Sequence, residues 1–208
     1  GARFTKWRGV YSISEKYPSE LAISCNAHAL ARYSALVQES GMVPIVEPEV
    51  LMDGDHTADI CLRKTSEVIK KCFEELFLHK VDLSGIILKP NMILAGNLSK
   101  NKISKEEVSL KTIQCLRDSV PKEVPGIAFL SGGQSEIEAT ENLNLINKNN
   151  KTNFIMTYSY GRALQQSALK TWSKNTEDKK ATQNIFNHRA KMCTLAAQGK
   201  WASELENK

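Results

Sequence analysis

The chain has 208 residues, 41% of them hydrophobic, a composition that supports a packed core and excludes a disordered, collagenous or coiled-coil chain. No apolar run approaches the roughly 18 residues that cross a bilayer. Twenty-eight basic against 23 acidic residues give a net charge of +5, with the two signs interspersed, which describes a mildly basic surface and not a nucleic-acid groove.

The chain opens Gly1-Ala2-Arg3-Phe4, with no initiator methionine and no charged-then-apolar leader, and is expected to start within a longer protein. β-Branched and aromatic runs at Arg3–Trp7, Val43–Val46, Gly85–Leu88, Gly126–Leu130 and Asn153–Tyr158 predict five strands. Helical patterns fall between them. The first spans Ser19 to Ser40, with Ile23, Ala27, Leu30 and Val37 on one face and Gly41 as the stop. The second spans Thr57 to Leu78, where Val68, Ile69, Cys72, Phe73, Leu76 and Phe77 form a wide apolar stripe. Two more start at Ser104 and Ser135, each with a glutamate three residues on (Glu107, Glu138), the pattern of a capping box. A fifth, Asn175 to Gln198, is expected to close the ordered part before Gly199. Cys25, Cys61, Cys72, Cys115 and Cys193 are odd in number and widely spaced, so they read as reduced thiols of a cytosolic protein with no zinc spacing and no disulfide framework.

Strand and helix alternating five times predict an α/β fold with a parallel sheet covered by helices. Lys6, Glu47, Lys89, Ser131 and Arg162 are each expected at or just beyond a strand's C-terminal end. Polar groups contributed by the ends of successive strands are the habit of the (β/α)8 TIM barrel, whereas an open doubly wound sheet concentrates its chemistry at one switch point. Neither GxGxxG nor GxxxxGK[ST] occurs. Five strands cannot close such a barrel. The chain is therefore expected to supply the last five βα units, residues 1–200, followed by the start of a C-terminal tail at 201–208.

Lys89 stands in Ile86-Ile87-Leu88-Lys89-Pro90-Asn91, at the mouth of the most apolar strand. Its charged form is costly there, and a second cation such as Lys6 adds to the cost, the condition under which an amine becomes a nucleophile. The alternative is a lysine whose stem packs while its ammonium reaches water. In Val46-Glu47-Pro48-Glu49-Val50 the proline favours extended backbone, so the pleat points Glu47 and Glu49 to one side. Glu47 suits acid–base work, and Glu49 reads as a structural partner of a lysine or arginine. Two strand-to-helix turns, Ser131-Gly132-Gly133-Gln134-Ser135 and Ser159-Tyr160-Gly161-Arg162, carry free backbone N–H groups and an arginine suited to phosphate. Each alone is equally a tight turn.

These segments, with Phe4-Thr5-Lys6-Trp7-Arg8 and Leu88-Lys89-Pro90-Asn91-Met92, resemble the class I fructose-bisphosphate aldolases from Gly1 to about Lys200. The resemblance implies a lyase of glycolysis and gluconeogenesis that reversibly cleaves fructose 1,6-bisphosphate. Lys89 would form the Schiff base, Glu47 would be the acid–base residue and Lys6 would assist proton transfers. Arg8 would contact the distal phosphate, and Ser131, Gly132, Gly133, Ser159, Gly161 and Arg162 would hold the phosphate on carbon 1. It further implies no metal and no other cofactor, a cytoplasmic homotetramer, and cytoskeletal proteins among its partners, with no nucleic acid and no membrane span. A metal-dependent aldolase would need a His or Cys cluster, which the sequence is not expected to form. The alternative is a non-catalytic aldolase-like scaffold that binds partners through its basic surface; Lys89, Glu47 and Arg162 argue against it. Another lysine-dependent barrel, such as a transaldolase, is disfavoured by the paired phosphate turns.

Overall fold

The computed structural model describes residues 1–207. Five strands, β1 (Phe4–Tyr11), β2 (Val43–Val50), β3 (Ile87–Leu88), β4 (Gly126–Phe129) and β5 (Ile155–Tyr158), form one sheet in sequence order, and every neighbouring pair is parallel. The helices α1 (Glu20–Glu39), α2 (Ala58–Leu78), α3 (Lys105–Ser119) and α4 (Glu136–Asn149) return the chain between strands, α5 (Arg162–Lys174) and α6 (Lys179–Ala197) follow β5, and all pack neighbour against neighbour. Spatial order equal to sequence order, with the helices in one layer, is the winding of a (β/α) barrel and not of a doubly wound sheet. The sheet is open. β1 and β5 are its edges, and Phe4 and Ile155 lie exposed on them.

The predicted helix starts hold. Ser19 and Thr57 accept from Ala22 and Ile60 backbone N–H groups, and Ser104–Glu107 and Ser135–Glu138 close reciprocal capping boxes, each satisfying donors that the first turn leaves free. Alternate residues of each strand face the helix layer: Val46, Leu88, Ile127 and Phe129 are fully buried there, each such side chain contributing about 1.5–3 kcal/mol of transfer free energy. The opposite face carries Lys6, Arg8, Glu47, Glu49 and Lys89.

Three expectations need correction. β1 and β2 continue to Tyr11 and Val50, so Lys6 and Glu47 sit within strands and not at their ends. Pro48 is tolerated inside β2 because β3 pairs only with Ile45 and Val46, leaving no ladder partner for the missing N–H. The segment after β5 holds two helices, α5 and α6, where one starting at Asn175 was expected; α6 begins after Asp178, whose carboxylate accepts from the Ala181 N–H. Phe77 leaves the apolar stripe and is 78% exposed, while Phe73 and Leu76 are buried.

Order also continues past Gly199. Trp201 is buried in the main core, its backbone N–H donating to Asn144 and its indole N–H to Glu206 at 2.7 Å. Glu206 in turn receives both Nη1 and Nη2 of buried Arg189 at 2.6 and 2.9 Å. Residues 201–207, expected to begin a tail, are thus packed on α4 and α6.

Candidate active site

Glu47 is the centre of the charged face. Register sets Lys6 opposite Ile45 and Arg8 opposite Glu47, and each β1 cation reaches the β2 carboxylate two positions further along. Lys6 Nζ lies 3.0 Å from Glu47 Oε2, and Arg8 Nε lies 2.5 Å from Glu49 Oε2. From the other side, the backbone N–H of Lys89 donates to the Val46 carbonyl at 2.8 Å, which places its side chain beside Glu47; Lys89 Nζ stands 3.2 Å from Glu47 Oε1. One carboxylate therefore bridges two ammonium groups, one oxygen to each. The Glu47 side chain is 4% exposed and that of Lys89 12%, against 43% for Lys6. In such a setting the attractions are screened far less than at the surface.

Of the two carboxylates of the Glu47-Pro48-Glu49 segment, Glu49 has the arginine partner that the sequence suggests. Glu49 is buried and bound to one arginine, whose pKa rises through its hydrogen bond to Glu49 despite partial burial. Lys6 and Lys89 were expected to act on each other as neighbouring cations; the structure sets both on the same anion.

Asn91 is a contributor that the sequence reading passed over. Its Oδ1 accepts from the Val50 N–H at 3.0 Å and its amide donates to Thr65 Oγ1 at 3.1 Å, so it fastens the end of β2 to the segment after Lys89 and to α2. The signal available was its place two residues after Lys89 and next to a proline.

The two strand-to-helix turns meet. The Ser159 N–H donates to the Phe129 carbonyl, which holds the ends of β4 and β5 side by side. Gly132 and Gly133 have φ of +56° and +87°, where a side chain is strained. A Cβ on Gly133 would lie 3.9 Å from Arg162 Nη2, so the arginine reaches the Ser131 turn. Beneath the turn, the Gln134 side chain donates to the Ser131 carbonyl and accepts from Asn142.

The helix starts beside this junction differ in charge. α4 has its Ser135 cap and two glutamates in its first turn. α5 begins at Gly161 with no side-chain cap and no acidic residue in its first turn, and Arg162 is its first residue. The Arg162 and Ala163 N–H groups and the positive end of its dipole stand free for an anion.

The described residues include one His/Glu group close enough to hold a metal ion, His28, Glu75 and His79, which lies in the helix layer and contains none of the residues above. The sequence expectation of no such cluster fails because α1 and α2 bring together residues far apart in the chain.

Comparison with known proteins agrees with this geometry. The class-I fructose-bisphosphate aldolase family model matches residues 1–208. Fructose-bisphosphate aldolase C of Carassius auratus is 50% identical over 204 residues, 98% of this chain and 56% of that protein. A probable class 1 fructose-bisphosphate aldolase of Xanthomonas campestris pv. campestris is 48% identical over 202 residues, 97% of this chain and 60% of that protein. Among solved structures, Plasmodium falciparum fructose-bisphosphate aldolase, in complex with TRAP and a small-molecule inhibitor, superposes with a TM-score of 0.95 at 42% identity, covering 98% of this chain and 59% of its own. The chain thus spans between half and two thirds of the length of these relatives, as expected for the C-terminal part of the barrel, and it belongs to the class I fructose-bisphosphate aldolases.

Proposed function

We propose that the protein reversibly cleaves fructose 1,6-bisphosphate to dihydroxyacetone phosphate and glyceraldehyde 3-phosphate through an imine on Lys89. The observation that supports this most is the Lys6–Glu47–Lys89 triad, contributed by β1, β2 and the residue just past β3. The Lys89 amine adds to the carbon 2 ketone, and Glu47 donates the proton with which the carbinolamine hydroxyl leaves as water. The Glu47 carboxylate then takes the proton of the carbon 4 hydroxyl while the electron pair of the bond between carbons 3 and 4 moves into the iminium. Glyceraldehyde 3-phosphate departs, the enamine is protonated at carbon 3, and hydrolysis frees dihydroxyacetone phosphate and Lys89. The iminium is the electron sink, so the chemistry calls for neither metal nor other cofactor.

Lys6, 3.0 Å from the second oxygen of Glu47, holds that side chain in place between its two proton transfers. The carbon 1 phosphate is assigned to the α5 start, with Ser131, Gly132, Gly133, Ser159, Gly161 and Arg162 around it. Arg8 is assigned to the distal phosphate and would exchange part of its bond to Glu49 for it. The same reading takes the protein as a cytoplasmic homotetramer of glycolysis.

A coupled cleavage assay on the whole protein tests this. Turnover of fructose 1,6-bisphosphate that persists in chelator and disappears in Lys89→Met is expected; turnover retained in Lys89→Met would overturn it.

A further inference from the structure

Glu75 and His79 are one helical turn apart at the C-terminal end of α2, and His28 meets them from α1. One ligand atom from each of the three lies within 4.8 Å of the others. His28 Nδ1 is 3.3 Å from Glu75 Oε2. The two imidazoles stand edge to face with centroids 4.8 Å apart. This end of α2 leads into β3, so it lies at the opposite end of the sheet from the turns after β4 and β5.

We propose that His28, Glu75 and His79 bind a divalent transition metal of borderline softness, zinc foremost, and that the ion ties α1 to α2 as a structural cross-link. Two imidazoles and one carboxylate are the donor set such ions take, whereas magnesium and calcium require oxygen donors. The tautomer of His79 is fixed. Its Nδ1 lies 2.8 Å from the Glu75 carbonyl, which only accepts, so Nδ1 carries the hydrogen and Nε2 keeps its lone pair. A ligating histidine anchored through its other nitrogen by a backbone carbonyl is the usual outer-sphere arrangement of a metal site.

The His28–Glu75 separation also fits. Ligands at about 2.0–2.1 Å from a tetrahedral ion are about 3.3 Å from one another. A metal ion can replace the proton that His28 Nδ1 shares with Glu75 with little movement of either group. His28 is more than half exposed, which gives the ion a path in and leaves water for the fourth position.

The test is titration of the whole protein with Zn²⁺ against a chromophoric chelator, and with Co²⁺ followed by its visible d–d bands. The account expects one ion per chain, tetrahedral cobalt bands, and a higher melting temperature with zinc. His28→Ala and Glu75→Gln should each weaken binding at least about tenfold, with sugar-phosphate cleavage unchanged. Cys25→Ala, which removes the one exposed thiol, should bind as the parent does. His28 lies on the surface, so equal melting of His28→Ala and parent without metal verifies its folding. Absence of saturable binding, adventitious ions only in several weak steps, or binding kept in His28→Ala and lost in Cys25→Ala would each overturn the proposal.

Discussion

Glu47 and Glu49 are two residues apart on one strand, face the same side, and are both buried, yet their surroundings differ. Glu49 has one partner, Arg8, on its outer flank. Glu47 has a lysine on each side because β3 delivers Lys89 to its inner flank. The first arrangement is a closed pair that holds β1 to β2. The second leaves a carboxylate with two neighbouring ammonium groups, one of which can leave for substrate without stripping the buried anion of its last counter-ion. Burial and charge alone therefore do not distinguish the two carboxylates; the number and kind of their partners do.

Lys89→Met should have the largest effect on this contrast. It removes the proposed nucleophile and is expected to lower kcat by at least about 10⁴-fold while the protein stays folded, as judged by circular dichroism and melting. Glu47→Gln comes next, with a loss of kcat of about 10²–10⁴-fold, the range for a positioned acid–base group. Glu49→Gln should leave most of kcat in place and show instead as a lower melting temperature. Equal losses of kcat in the two glutamine variants would erase the distinction between the carboxylates.

Arg162→Ala sharpens the comparison from the phosphate side. A lost charge-assisted contact should raise KM for the bisphosphate by about 1.5–3 kcal/mol, roughly 10- to 150-fold, with a smaller change in kcat than Glu47→Gln produces. The smallest effect is expected at the neighbouring helix. Ser135→Ala deletes the α4 cap and should cost about 1 kcal/mol in stability, read by denaturant unfolding, with kcat/KM nearly unchanged.

Local chemistry was readable in the sequence wherever it was local. Ser104–Glu107 and Ser135–Glu138 announce their helices because both halves of each capping box lie within one turn. Pairing Glu49 with a cation follows from the cost of a buried carboxylate. The turn into α5 was readable at Gly161–Arg162, but its run to Lys174 escaped because its start carries no Ser, Thr, Asp or Asn cap and no early acid. The true ends of β1 and β2 escaped because they lie beyond the β-branched and aromatic runs that predict the strands, past Gly9 and Pro48, which register and the shortness of β3 accommodate. The bridging of Glu47 between Lys6 and Lys89 depends on which residues stand side by side across three strands. His28, Glu75 and His79 likewise meet only when α1 packs on α2.

Lys89, and not Lys6, is the proposed covalent site, although both ammonium groups lie within 3.2 Å of the same carboxylate. Borohydride reduction of the whole protein with dihydroxyacetone phosphate, followed by peptide mapping, separates the two directly. One reduced adduct per chain is expected, on the peptide containing Lys89, with Lys6 unmodified; an adduct on Lys6 with Lys89 free would overturn the assignment.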